Sequence, residues 1–385
     1  MKALVFHKLK DVRVEEVADP QIKDPGDVIL KVTSTAICGS DLHIYNSMFP
    51  QLKDMILGHE FMGVIEETGA NVKNFKKGDR VIVPFPIACG HCYFCNIQEP
   101  NHCENSNPEF YGAEGGMLKE KGGGIFGYTD LYGGYDGGQA EYVRVPYADF
   151  GLRLAPENLT DDQLLFLTDI FPTGWSAVDK GEVKAGDVVA VFGCGPVGLM
   201  AIKSAWLKGA KRVIALDVQD YRLIMADKVC KAEPINVTKT DAVEAIREMT
   251  GGRGADVCVD AVGMEADRSV LDRVLTVARM EKGTINALRL AFDSVKRGGI
   301  VSIVGVYGSF YDKFPLHQIF DKAITIKSGQ APVHRYIDQL LDFVKDDKIV
   351  LDDIITHKMP LADAAFGYDI FNNKEDNCVK IVLQP

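Results

Sequence analysis

Four cysteines fall within fifteen positions in Cys89-Gly-His-Cys92-Tyr-Phe-Cys95, which is followed after seven residues by Cys103. Thiolates at this density close a tetrahedral shell around zinc, and a shell of four sulfurs leaves no position open for chemistry. The segment is expected to hold a structural zinc that folds its own loop. His91 and His102 lie in the same stretch but are expected to be bystanders, because four thiols already complete the shell. The chain has nine cysteines, an odd number that suits metal binding in a reducing compartment better than disulfides. Cys194, Cys230, Cys258 and Cys378 sit in apolar contexts and read as buried small side chains.

A second motif points to a nucleotide. The apolar run Val188 to Phe192 leads directly into Gly193-Cys-Gly195-Pro196-Val197-Gly198, which opens a stretch with helical character. Glycines there let the backbone approach a pyrophosphate at a helix N-terminus, where unpaired N–H groups favour an anion. Nineteen residues past Gly198, at the end of the next apolar run, stands Asp217. A carboxylate in that place hydrogen-bonds the adenosine ribose hydroxyls and repels a 2′-phosphate, so NAD is expected over NADP. Arg222, five residues on, is expected to touch the same ribose.

A third set is dispersed: Cys38-Gly39-Ser40-Asp41-Leu42-His43, then Gly58-His59-Glu60, then Thr168-Asp169-Ile-Phe-Pro-Thr173-Gly174. Each fragment alone reads as well for core or structure as for chemistry.

The elements that must carry these residues divide the chain in two. From Lys2 to about Ala155 short β-rich runs (Lys2–Phe6, Asp27–Thr33, Phe61–Thr68, Arg80–Val83) alternate with turn residues, as in an antiparallel β domain. Between Gly112 and Gly138 glycine is too frequent for a regular element, yet Tyr111, Phe126, Tyr128, Tyr132 and Tyr135 offer surface to bury, so a long ordered loop is expected. Past Gly186 apolar runs (Val188–Phe192, Val213–Leu216, Val257–Val259, Ile300–Val304) alternate with helical stretches (Val197–Lys208, Tyr221–Val229, and one within Val270–Val295). Strands apolar throughout, separated by helices, imply a parallel sheet covered on both faces. The tail adds a helix over Ile337–Lys345 and a last strand over Val379–Leu383.

Composition bounds the partners. The 385 residues are 46% hydrophobic and 25% charged, as in soluble globular proteins. The net charge is −11 with no basic cluster, which argues against nucleic acid and anionic membrane surfaces. The longest apolar candidate, Val188 to Ile202, is short of the ~20 residues a bilayer needs. The N-terminal stretch carries charges where a secretory signal keeps its apolar core, so a cytoplasmic location is expected.

Taken together, Cys38-Gly-Ser-Asp-Leu-His43, Gly58-His59-Glu60, the four-cysteine lobe, and Gly193 to Gly198 with Asp217 resemble zinc-dependent medium-chain alcohol dehydrogenases in order and spacing, nearly end to end. Asp169-Ile-Phe-Pro-Thr-Gly and Gly133-Gly-Tyr-Asp-Gly-Gly-Gln-Ala-Glu-Tyr resemble the formaldehyde-dehydrogenase-like branch. The resemblance implies an α/β chain: a Rossmann doubly wound parallel sheet over residues 174–328, and a largely β, GroES-like catalytic domain formed by 1–173 and 329–385. It implies two zinc ions per chain and NAD. The catalytic zinc would be held by Cys38, His59 and Asp169, with a position open for substrate. Glu60 and Asp41 would stand behind these ligands, Asp41 orienting His59. Ser40 would bond the substrate oxygen, and His43 would be the surface end of a proton relay. Thr173, Val262 and Val304 would lie near the nicotinamide. The implied substrate is a small primary alcohol or aldehyde hydrate, and the implied assembly a homodimer or homotetramer. Some members of the branch retain NAD and dismute aldehydes, but Val262 to Gly305 carries no obvious insertion to cover the adenine, so turnover with free exchange of NAD is expected, with dismutation a minor activity. A polyol (sorbitol-type) or threonine-type dehydrogenase is the neighbouring enzymatic alternative, although the polyol branch takes its third ligand from a Glu ahead of Pro-Leu. A non-catalytic NAD-sensing scaffold is the alternative of another class, and retention of Cys38, Ser40, His43, His59 and Asp169 argues against it.

Overall fold

The β-branched run from Val28 to Ile37 is buried along most of its length and forms the central strand of a sheet in the computed structural model, which describes residues 1–47, 54–107, 122–263, 285–308 and 314–385. On one side it pairs antiparallel with Glu60–Thr68, on the other with Ile381–Gln384 and Tyr142–Val145. Arg80–Val83 extends the sheet beyond Glu60–Thr68 and His357–Pro360 extends it beyond Ile381–Gln384. The strand ends matter most. Register sets Ala36 opposite Glu60 and Ile37 opposite Ile381, so positions 38, 59–60 and 380 are gathered at one end of three neighbouring strands.

By contacts the described residues form two compact units, Met1–Pro172 with Pro332–Pro385, and Thr173–Ala331. The second holds a parallel sheet in the order Glu233–Asn236, Arg212–Asp217, Val188–Phe192, Ala255–Asp260, Val295–Ile303, Thr325–Ser328. Numbered along the chain this is the doubly wound order 3-2-1-4-5-6, whose direction reverses between Val188–Phe192 and Ala255–Asp260. Val189 to Phe192 and Val213 to Leu216 are all at most 2% exposed, which is why these strands are apolar at every position rather than alternating. Helices Pro196–Leu207, Asp220–Lys228, Ala242–Met249 and Asn286–Ser294 belong to this unit.

Several expectations need amendment. The glycine-rich region does carry regular structure: Gly124–Ile125 pairs with Pro86–Ile87, and Asp130–Tyr132 forms a turn of 3₁₀ helix capped by Thr129. Gly124 is tolerated in a strand because a side chain there would strike Ser106 O at 2.5 Å. Phe126 and Tyr128 are buried, whereas Tyr111 and positions 112–121 lie outside the described residues. The helix sought within 270–295 is Asn286–Ser294, residues 270–284 of that window lying outside the described residues, and Val295 already belongs to the next strand. Two strands of the parallel sheet, Glu233–Asn236 and Thr325–Ser328, were not apparent because they are edge strands, partly exposed and polar.

Candidate metal centres and nucleotide site

The four-cysteine segment folds on itself through a short helix, Tyr93–Asn96, and a 3₁₀ turn, Pro100–His102. Its sulfurs converge, with Cys89 Sγ 4.0 Å from Cys95 Sγ and Cys92 Sγ 3.9 Å from Cys103 Sγ. Tetrahedral zinc with bonds of about 2.3 Å sets its sulfurs roughly 3.8 Å apart, so the four thiols fit that ion. The segment also supplies polar support to the sulfurs: Cys89 N–H donates to Cys103 Sγ at 3.2 Å and Asn105 Nδ2 to Cys89 Sγ at 3.3 Å. Burial raises the Cys92 thiol, but backbone N–H groups of Cys95 and Glu104, together with hydrogen bonds from the Cys95 and Cys89 thiols, bring the group down to about 7. His91 turns away, its Nδ1 bonded to Cys89 O at 2.9 Å.

Cys38, His59, Glu60 and Asp169 of the dispersed fragments meet in the same unit. Cys38 follows the central strand, His59 immediately precedes the neighbouring one, which Glu60 opens, and Phe85 N–H donates to Thr168 O at 2.9 Å beside Asp169. One donor atom from each of Cys38, His59, Glu60 and Asp169 lies within 4.8 Å of the others, all four residues buried. Asp169 Oδ2 is 3.6 Å from Cys38 Sγ and 3.2 Å from His59 Nε2. The opposite ring nitrogen, His59 Nδ1, is 3.1 Å from Asp41 Oδ1, and Cys38 N–H donates to Asp41 Oδ2 at 2.9 Å. Glu60 Oε1 pairs with Lys380 Nζ at 2.6 Å, while Glu60 Oε2 is buried with no hydrogen-bond partner among the described residues.

A divalent cation fits this donor set. Burial, together with the Glu60 and Asp169 carboxylates, pushes the Cys38 thiol up to about 11. A thiolate forms there only with an added positive charge, which a metal supplies. Thiolate, imidazole and carboxylate are the donor types zinc takes, and the orphaned Glu60 oxygen points to the same unmet demand for a cation.

Ser40 precedes the short helix Asp41–Tyr45 without capping it, and its hydroxyl stands instead 3.1 Å from His59 Nε2. His43 departs from the surface position that the resemblance implies: it is 5% exposed, and its Nδ1 lies 3.3 Å from the hydroxyl of buried Tyr128. Burial lowers it to about 4, so the ring stays neutral through the neutral pH range instead of titrating there. Phe85 and Tyr128 flank His59 edge-on, with centroids 6.0 and 6.1 Å away. Sequence reasoning gave no role to Tyr128, Gln139, Tyr368 or Lys380. Tyr128 lies among the aromatics of the glycine-rich loop, Gln139 lies within the Gly133 to Tyr142 motif, and Lys380 stands out as a lysine set inside the apolar run Val379 to Leu383.

In the other unit the glycines stand at the reversal point of the parallel sheet. Gly193 has φ +91°, and a side chain on Gly198 would lie 1.8 Å from Gly193 O, so neither position accepts another residue. A side chain on Gly195 would meet nothing nearer than Arg222 Nη1 at 3.9 Å, which leaves open space over the backbone. Pro196 and Val197 begin the helix Pro196–Leu207, which no side chain caps. Asp217 ends its strand with Oδ2 accepting from Cys194 N–H at 2.7 Å and Oδ1 from Gln219 N–H at 2.8 Å. Arg222 Nε is buried without a hydrogen-bond partner among the described residues. Val262 N–H donates to Asp260 Oδ1 at 3.0 Å and Val304 N–H to Asp260 O at 3.0 Å, so both residues sit past the carboxyl ends of adjacent strands. Thr173 lies on the helix Ile170–Lys180. An open cradle, an uncapped helix start and a fixed carboxylate fit a dinucleotide.

Fold and sites together define a two-domain, metal-binding dehydrogenase. Residues 24–154 match the alcohol dehydrogenase GroES-like domain and residues 196–285 the zinc-binding dehydrogenase domain. The chain is 46% identical to the uncharacterized zinc-type alcohol dehydrogenase-like protein AdhB of Bacillus subtilis over all of both chains. It is 34% identical to the glutathione-independent formaldehyde dehydrogenase of the same organism, over 100% of this chain and 97% of the other. Among solved structures, alcohol dehydrogenase TADH from Thermus sp. ATN1 aligns with a TM-score of 0.85 at 35% identity, covering 100% of this chain and 99% of that one. The chain belongs to the zinc-type alcohol dehydrogenase family and is an oxidoreductase of that kind.

Proposed function

We propose that this protein is an NAD-dependent alcohol dehydrogenase that interconverts small primary alcohols, or aldehyde hydrates, with their oxidised products. The observation that carries the reading is the convergence of Cys38 Sγ, His59 Nε2 and Asp169 Oδ2 in a buried cluster, with Ser40 Oγ 3.1 Å from the same ring nitrogen. Zinc held by Cys38, His59 and Asp169 would polarise a substrate oxygen, and NAD held over Gly193, Gly195 and Gly198 would accept the hydride.

The chain's own residues do the rest. Asp41 fixes the His59 ring through Nδ1, so that Nε2 is the nitrogen left for the metal. Ser40 holds the substrate hydroxyl and takes part in moving its proton, and His43, kept neutral by burial, relays a proton only by taking it at one ring nitrogen as it gives one up from the other. Phe85 and Tyr128 wall the space beside His59 with aromatic surface, which favours a short carbon chain over a polyol. Asp217 receives the ribose hydroxyls on the lone pairs its two backbone bonds leave free, and Arg222 lies at the same ribose. Thr173, Val262 and Val304 border the nicotinamide.

A panel of alcohols, polyols and aldehydes with NAD and with NADP, followed by nicotinamide absorbance, tests the reading. Turnover of short primary alcohols or aldehydes with NAD is expected. Preference for polyols, or equal efficiency with NADP, would contradict it.

A further inference from the structure

The glycine-rich motif Gly133 to Tyr142 contains one fully buried polar side chain, Gln139, which the reaction as described leaves unused. Its backbone runs beside the segment leading to His59: Gly137 N–H donates to Ile56 O at 2.9 Å, Gly138 N–H to Gly58 O at 2.8 Å and Gln139 N–H to Leu57 O at 3.0 Å. The approach is so close that glycines are required on both sides. A side chain on Gly137 would lie 2.2 Å from Leu57 O, and one on Gly58 would lie 2.4 Å from Gln139 Cγ. The motif therefore serves to lay Gln139 under the turn that presents His59.

Each end of the amide is committed. Nε2 donates to Ala36 O at 3.1 Å and to Asp41 Oδ2 at 3.3 Å, while Oε1 accepts from the Tyr368 hydroxyl at 2.9 Å. Tyr368 is fully buried, on the helix Ala364–Asn373. Two acceptors at one end and a hydroxyl at the other fix which way the amide faces. Asp41 is held in turn: Oδ2 takes Cys38 N–H and the Gln139 amide, which aims Oδ1 at His59 Nδ1, 3.1 Å away.

We propose that Gln139, anchored by Tyr368, is a positioning residue that sets the Asp41 carboxylate and through it the His59 ring for metal binding. The inference rests on the reading of Cys38, His59 and Asp169 as metal ligands. Outer hydrogen-bond partners of a ligand contribute about 10- to 100-fold in metal affinity, and a residue one bond further out belongs near the lower figure.

The test is competition of the zinc-loaded protein with a chelator, reading zinc retained per chain, beside visible spectra of the cobalt-substituted protein. Gln139→Met keeps chain length but can neither donate nor accept. It should release one zinc at about a tenfold lower chelator concentration and shift the cobalt bands, with the other zinc unmoved. Tyr368→Phe removes only the anchoring hydroxyl and should move both readouts the same way by less, and it decides the matter if Gln139→Met does not fold. Chelator midpoints and cobalt spectra equal to wild type in the folded variants would overturn the proposal, whatever the change in melting temperature. Cys38→Ser separates the two levels: if it retains both zincs, the ligand assignment itself fails, whereas loss of one zinc there with wild-type behaviour of the Gln139 and Tyr368 variants refutes only the positioning role.

Discussion

Lys380 and Glu60, 320 residues apart in sequence, form an ion pair of 2.6 Å in which neither side chain is exposed to solvent. Lys380 also donates to Ile37 O at 3.1 Å and lies 5.3 Å from the centre of the Phe166 ring. It is the cationic neighbour of a cluster otherwise built from acids, a thiol and an imidazole. Removing one partner of a buried pair leaves the other charge unpaired, which costs about 3 to 5 kcal/mol. Lys380→Met should therefore lower unfolding free energy by about that amount in urea titration, while Lys380→Arg should recover part of the loss. A Lys380→Met protein as stable as wild type would show that the pair contributes nothing.

The cysteine lobe should behave as structure rather than chemistry. Cys92→Ser or Cys95→Ser is expected to lower zinc content by one ion per chain and reduce thermal stability, with activity falling only as folded protein is lost. A variant that stayed fully folded, lost one zinc and lost turnover alone would reverse the assignment of the two centres.

Cofactor choice should rest on Asp217. Asp217→Ala removes the ribose acceptor and also the partner of Cys194 N–H, so NAD should bind at least tenfold more weakly and discrimination against NADP should shrink. Unchanged NAD affinity, measured by fluorescence titration, would place the ribose elsewhere.

Acid sensitivity should trace in part to His334. The ring is 6% exposed, stacks on Phe150 at 5.1 Å, and has no hydrogen-bond partner on either nitrogen among the described residues. Burial, with Arg153 adding to it, lowers the group from 6.5 to about 3. Protons bind the unfolded ring first, so its stabilising contribution is complete above pH 6.5 and is lost as pH falls toward 3, amounting to about 3 kcal/mol by pH 4. His334→Phe keeps the stack and should flatten stability between pH 6.5 and 4. An acid limb as steep as in wild type would exclude the residue.

The parts of the molecule legible in the sequence are those whose physics is local. Val188–Phe192 announces itself because a strand buried on both faces must be apolar throughout, and the four thiols of the lobe fall within fifteen positions. Glu233–Asn236 and Thr325–Ser328 escape notice because an edge strand has partly exposed faces and carries polar residues. Lys380, Gln139 and Tyr368 escape for another reason. Their partners, Glu60, Asp41 and one another, come from distant segments, and no periodicity within a window encodes such pairings. His43 shows the converse error, since its residue type suggests a group titrating near neutrality and its burial removes that property.

On the proposed function, Cys38, His59 and Asp169 hold a metal on which turnover depends. Metal analysis of purified wild type and Cys38→Ser, with circular dichroism to confirm folding and NAD-linked alcohol oxidation on the same samples, tests it most directly. Two zinc ions per chain in the wild type and one in a folded, inactive Cys38→Ser protein is the predicted result. A folded Cys38→Ser protein that keeps two zincs, or keeps wild-type turnover with one, would contradict it.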